Sequence, residues 1–142
     1  QHQYDWSSIR VLDLFAGTGN ISYEFASRGV TEVFSVDKNS HCIKFIQQTA
    51  EKLDLGINTI KIDVLEYLSI ISMDFDIIFA DPPYNFDRQS YFKIVNIIFE
   101  KNRLKKNGLL ILEHCEQKHL EVHPKFIQSR KYGSNIFSFF EK

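Results

Sequence analysis

Arg10-Val11-Leu12-Asp13-Leu14-Phe15-Ala16-Gly17-Thr18-Gly19-Asn20 decides the fold. Arg10 to Phe15 is a short apolar run that stops at Ala16-Gly17, and its length suits a buried strand. Beyond the glycines, Asn20 to Ser27 carries Ile21, Phe25 and Ala26 at helical spacing. Gly29 stands where a left-handed C-terminal cap belongs. A strand, a glycine turn and a helix make the opening of a βαβ unit, and that unit demands a parallel neighbouring strand.

The pattern repeats outward. Glu32 to Val36 reads as a second strand. Ser40 to Leu55 reads as the longest helix, with Ile43, Ile46, Ala50 and Leu53 on one face and Gly56 ending it. Thr59 to Ile62 follows as a strand, and Val64 to Ser69 as a short helix. Phe75 to Ala80 is a continuous apolar strand ending at Asp81-Pro82-Pro83. Ser90 to Lys101 is a helix, and Leu109 to Glu113 a strand entered through Asn107-Gly108. Phe126 to Tyr132 and Ile136 to Phe140 flank Gly133-Ser134-Asn135 as a β-hairpin. The expected fold is α/β: a Rossmann-like, doubly wound, mostly parallel seven-stranded sheet with an antiparallel C-terminal strand in the closing hairpin.

Composition sets the class. The chain has 142 residues, 44% hydrophobic and 25% charged, with a formal net charge of −1. That suits one domain spanning residues 1–142 and excludes a disordered polyelectrolyte. No apolar run approaches the roughly 20 residues of a membrane span. The polar start, Gln1-His2-Gln3-Tyr4-Asp5, lacks a signal peptide's basic start and apolar middle. Two cysteines, Cys42 and Cys115, make no disulfide framework. A cytoplasmic protein without membrane association is expected. Residues 1–86 hold six Lys/Arg against twelve Asp/Glu, and residues 87–142 eleven against six. The basic half could face a polyanion through Lys105 and Lys106, which otherwise read as the solvated end of a helix.

Ligands of such sheets bind beyond the carboxyl ends of the strands. The first four ends read Asp13 to Gly19, Asp37, Asp63 and Asp81-Pro82-Pro83-Tyr84. Gly17 and Gly19 let the backbone turn tightly against a ligand. Ser22 stands where a dinucleotide fingerprint needs its third glycine, and the Lys-Ser/Thr of a P-loop is missing. A ligand with an amino-acid end and no phosphate fits better. S-adenosylmethionine (SAM) is one: its ammonium can meet loop carbonyls, with Asp13 nearby as an anion. Asp37 can accept both hydroxyl protons of a ribose. Asp63 can accept from an adenine amino group or cap the following helix.

Asp81-Pro82-Pro83-Tyr84 is the sharpest signal. Two consecutive prolines fix φ and remove two backbone donors. The Asp81 carboxylate and the Pro82 carbonyl are left as acceptors for the two protons of an exocyclic amine. Gripping both protons favours a pyramidal nitrogen and frees its lone pair for attack. The Tyr84 ring can stack on the base, an interaction worth about 1–3 kcal/mol. Cys115, His119 and His123 are each four apart, but Pro124 argues against a helix there and no fourth ligand is evident. No metal is expected.

These residues resemble the SAM-dependent methyltransferases with a Rossmann-like sheet and a D/N-P-P-Y/F group. Within them the chain is similar to the bacterial 16S ribosomal RNA guanine-N2 methyltransferase family. The motifs are Val11 to Gly19, Ser27-Arg28-Gly29, Phe79-Ala80-Asp81-Pro82-Pro83-Tyr84, and Tyr132-Gly133 with Phe139-Phe140. The resemblance implies that Gly17 and Gly19 lie against the methionine end of SAM, Asp37 holds the ribose and Asp63 the adenine. Asp13, Phe15 and Val64 join that cofactor-binding set. Asp81, Pro82 and Tyr84 would be catalytic. Pro83, Tyr84, Lys105 and Lys106 would contact the substrate. The partner implied is ribosomal RNA or the small ribosomal subunit, the product of SAM is S-adenosylhomocysteine, and a monomer is expected. Family members usually begin with an extension carrying an Arg-Pro-Thr segment and a helix; the chain starts at Gln1, shortly before the first strand, and a truncated form is expected. The rivals are an adenine-N6 methyltransferase of DNA or RNA, an inactive methyltransferase-like RNA-binding module, and a nicotinamide dehydrogenase, the last disfavoured by Ser22.

Overall fold

The computed structural model describes residues 5–115 and 118–142. Residues 1–4, part of the polar start, lie outside them. The elements run β1 (Arg10–Leu14), α1 (Asn20–Ser27), β2 (Glu32–Asp37), α2 (Ser40–Lys52), β3 (Asn58–Lys61), α3 (Val64–Ile70), β4 (Phe75–Ala80), α4 (Arg88–Glu100), β5 (Leu104–His114), β6 (Phe126–Tyr132) and β7 (Asn135–Phe140). The seven strands form one sheet in the order β3-β2-β1-β4-β5-β7-β6. The first five are parallel, and β7 runs antiparallel to both β5 and β6. The expected Rossmann-like, mostly parallel sheet with an antiparallel closing strand is the fold observed.

Period-two alternation divides the core. On β1, Leu12 and Leu14 face the larger cluster, which α4 completes with Tyr91, Ile94, Val95 and Ile98 at helical spacing. Burying each of these aliphatic side chains contributes about 1.5–3 kcal/mol. Val11 faces the opposite side and packs with Val30, Val33 and Ile77, against Phe25 of α1. Asp13 has the parity of Val11, so it points beneath α1. There its Oδ2 accepts from Ser22 Oγ at 2.7 Å, and Ser22 Oγ in turn meets Ser35 Oγ at 2.5 Å. All three are buried.

Two boundaries differ from expectation for a local reason. The second helix stops at Lys52, before Gly56, because Asp54 adopts φ 55° and the Leu55 N–H donates back to the Ala50 carbonyl at 2.8 Å. This is a left-handed C-terminal cap. Leu53 therefore lies past the apolar face and is exposed, where a buried position was expected. The fifth strand starts five residues earlier than expected, at Leu104. Its register against β4 jumps from Phe75↔Leu104 to Ile77↔Leu109, so residues 105–108 bulge out of the ladder. Gly108 permits this: a Cβ there would lie 2.8 Å from the Lys105 carbonyl and 3.0 Å from that of Asp76.

The bulge corrects the reading of Lys105 and Lys106. They belong to the start of a strand, not the end of a helix. They sit beside Phe75, at the end of the sheet opposite Ala80 and Asp81, and the Lys105 ammonium pairs with Asp76 at 3.3 Å. Six residues of parallel strand separate them from the glycine loop, about 20 Å. They cannot share a cleft with it.

Candidate active site

The sheet order places β1 and β4 side by side, with the crossovers leaving in opposite directions: β1 leads toward β2 and β4 toward β5. That switch point opens a crevice at the carboxyl ends. The structure brings Asp37, Asp63 and Asp81 to this edge, with the glycine loop between them.

The loop is tightly tied. The Gly17 N–H donates to Asp37 Oδ2 at 2.9 Å, and the Asn39 N–H donates to Asp37 Oδ1 at 2.9 Å. One carboxylate thus joins the ends of β1 and β2. Phe15 takes φ 57°, an unusual conformation for a bulky residue, and sets its ring 5.5 Å from that of Phe86. Gly19 takes φ 87°, and a Cβ there would lie 2.8 Å from the Tyr23 ring and 2.9 Å from Ile46. Gly19 is required for packing as well as for the turn. Asp63 caps α3, accepting from the Glu66 N–H at 3.2 Å, and its carboxylate stays exposed.

Two cavities meet here. One, of about 430 Å³, is lined by Phe15, Asp37, Asp63, Val64, Asp81 and Pro83, together with Lys38, Leu65, Phe86, Ser90 and Lys93. The other, of about 480 Å³, is lined by Phe15, Gly17 and the whole Asp81-Pro82-Pro83-Tyr84 run, with Tyr91, Glu113, His114, Cys115, Lys118 and Asn135. Phe15, Asp81 and Pro83 belong to both. Tyr84 is 80% exposed and lines the second cavity.

Asp13 and Gly19 line neither cavity. The expectation that Asp13 presents its carboxylate to a ligand ammonium is corrected by strand parity: the side chain is turned inward onto Ser22. Burial pushes its carboxyl up to about 7, helped slightly by the charges of Asp81 and Asp37 and opposed by the Ser22 hydrogen bonds. This has a consequence for stability. Between about pH 4 and pH 7 the folded chain keeps a proton that the unfolded chain releases. Stability therefore falls as pH rises through that window and levels off above it. Asp13→Asn keeps an acceptor for Ser22 Oγ and removes the titration. Urea unfolding at pH 5 and pH 8 should show the wild type losing about 2–4 kcal/mol more than the variant. Equal losses would mean that Asp13 is ionised throughout.

Burial also raises the carboxyls of Asp81 and Glu113, and the Asp81 charge adds to the effect on Glu113. The sequence reading did not place Glu113, His114 or Cys115 at the site, although they lie at the end of β5 as Asp81 lies at the end of β4. The rule applied to the first four strands would have found them on the fifth. His114 is buried, with Nε2 2.9 Å from Ser138 Oγ and its ring against Tyr91. His123 has its Nε2 2.8 Å from Asn96 Oδ1 and its ring against Phe92 and Phe140. Among the described residues no group of three or more His, Cys, Asp or Glu side chains is arranged to hold a metal ion.

Known proteins resemble this chain in sequence and fold. A family model described as Conserved hypothetical protein 95 matches residues 2–141. YlbH of Bacillus subtilis, named as a candidate rRNA methyltransferase, is 28% identical over 141 residues, covering 94% of this chain and 76% of its own. Ribosomal RNA small subunit methyltransferase D of Buchnera aphidicola is 27% identical over 103 residues, covering 72% of this chain and 52% of its own. A candidate methylase from Haemophilus influenzae has the same fold, with a TM-score of 0.83 at 22% identity over 96% of this chain and 88% of that one.

Proposed function

Since the chain belongs to the Conserved hypothetical protein 95 family, we propose that it is a SAM-dependent methyltransferase acting on the exocyclic N2 amine of a guanine in small-subunit ribosomal RNA. The observation that carries this reading is the shared wall: two cavities of similar size meet at Asp81, one suited to a methyl donor and one to a base. The names of the Bacillus and Buchnera relatives support ribosomal RNA as the substrate.

The residues of the first cavity fit SAM. Asp37, already oriented by two backbone N–H groups, offers its remaining lone pairs to ribose hydroxyls. Phe15, Val64 and Leu65 give apolar walls for an adenine, and Asp63 an acceptor at the rim. The carboxylates of Asp37 and Asp81 suit a cationic ligand. When bound, SAM supplies an electrophilic methyl on a sulfonium. The chain's own part lies across the wall. Asp81 and the Pro82 carbonyl hold the amine protons, Tyr84 stacks on the base, and the nitrogen lone pair is aimed at the first cavity. As the new N–C bond forms and the S–C bond breaks, the nitrogen becomes cationic, and Asp81 is the acceptor for its surplus proton. Catalysis rests on positioning and on hydrogen bonds that strengthen in the transition state. The target base must leave its stack to enter. This reading takes the chain as one domain, monomeric and cytoplasmic; among the described residues no helix is long and apolar enough to cross a membrane.

Methyl transfer from labelled SAM to unmodified ribosomal RNA or small subunits, with the product nucleoside identified by mass spectrometry, tests the proposal. N2-methylguanosine is expected; N6-methyladenosine or no product overturns it.

The polyanion contact moves with the correction to Lys105 and Lys106. Strand β6 runs in the same direction as β5, so Arg130 and Lys131, just before its last residue, are exposed at the cleft end of the sheet. Changing both to Glu should weaken RNA binding across all sequences and reduce the slope of log affinity against log salt by about one to two. The same change at Lys105 and Lys106 should leave the slope unaltered. The reverse outcome would put the RNA at the opposite end of the strands, beside Phe75.

A further inference from the structure

The second cavity holds chemistry that gripping an amine does not use. Glu113 is the penultimate residue of β5, the strand paired with β4, and lines the same cavity as Asp81. Glu113 Oε2 accepts from Asn135 Nδ2 at 2.8 Å, so β7 fixes how the carboxylate is turned. A carboxylate accepts at both oxygens, and one bond to Asn135 leaves the other oxygen for a ligand. Adjacent strands therefore present two acceptors to one ligand edge.

That pattern matches one nucleobase. The N2 amine of guanine stands beside the N1–H, giving two donors in a row. The amine of adenine stands beside a bare N1 lone pair, and that of cytosine beside a bare N3. A second carboxylate next to Asp81 would attract the first and repel the other two. We propose that Glu113 selects guanine by accepting its N1–H while Asp81 holds the neighbouring N2 amine, an assignment that rests on the guanine-N2 reading above. Glu113 touches the base without taking part in the transfer, and the hairpin carrying Asn135 positions it.

The test uses 2-aminopurine, which keeps the N2 amine but has a bare N1. Small-subunit ribosomal RNA is prepared with guanosine or 2-aminopurine riboside at the position that the wild type methylates. Wild type should favour guanosine by about 10–100-fold in kcat/KM, the range for a single hydrogen-bond acceptor left unpaired. In Glu113→Gln, Asn135 claims the amide oxygen and turns the NH2 toward the base. The preference should fall to within a few-fold or reverse in favour of 2-aminopurine. Glu113→Ala should lose the preference without reversing it. SAM affinity, read at the first cavity, should stay at the wild-type value in both variants and reports that they are folded. If the wild type makes N2-methylguanosine and both variants keep its preference, the assignment of Glu113 is wrong and the function stands. If the wild type makes none, the function falls and the assignment with it.

Discussion

Asp81→Ala is expected to slow methyl transfer by about 10²–10⁴-fold while SAM affinity changes only a few-fold. Asp81 follows β4 directly, its N–H bonded to the Leu14 carbonyl at 3.4 Å, so the fold of the central strands aims its side chain. Pro82 and Pro83 have no N–H to compete for the carboxylate. Burial raises its proton affinity, which suits a group that must take a proton from a nitrogen turning cationic. The interaction grows along the reaction, so its loss should appear in kcat more than in binding. Asp81→Asn retains one acceptor and should keep part of the activity. Tyr84→Phe should be mild because stacking needs only the ring, and Tyr84→Ala severe. Initial rates with labelled SAM, beside calorimetry of SAM binding, separate these outcomes. A wild-type rate in Asp81→Ala would reduce the tetrapeptide to a structural turn.

Asp37→Ala is expected to weaken SAM binding by about 10–100-fold, equivalent to about 1–3 kcal/mol for hydroxyl partners left unpaired. The same carboxylate accepts from the Gly17 and Asn39 N–H groups, so its removal also loosens the loop that shapes the cavity. Asp37→Asn should restore one backbone bond and only part of the affinity. Titration calorimetry with SAM measures this. Binding unchanged in both variants would mean that the ligand enters elsewhere.

Most of the frame was legible because apolar period and glycine turns agree along the chain. Phe75 to Ala80 forms the strand its composition dictates, and the parallel order follows from strands alternating with helices. What escaped was set by contacts far apart in sequence. Lys105-Lys106-Asn107-Gly108 reads as a helix end followed by a turn, whereas pairing with β4 draws it into a bulged strand. Asp13 reads as a ligand group, but its direction depends on which face of β1 it shares with Val11. Asp63 takes the capping role on α3 and also lines the first cavity, where the adenine contact is the part still to be measured. Lys93 and Ser90 reach that cavity from α4, and no local motif marks them. Glu113 was legible in principle, being one more strand end.

Phe15, Asp81 and Pro83 face both cavities, and their positions are constrained from both sides. Phe15 is held in a left-handed backbone conformation and wedged against Phe86, so its ring has little freedom to yield. A molecule pressing on it from one cavity meets a wall that holds its place. On the proposed function, donor and base would then be kept at a set separation by the protein rather than by each other. The partition would act as a spacer, and the span of the transfer would be written into the fold before either ligand arrives.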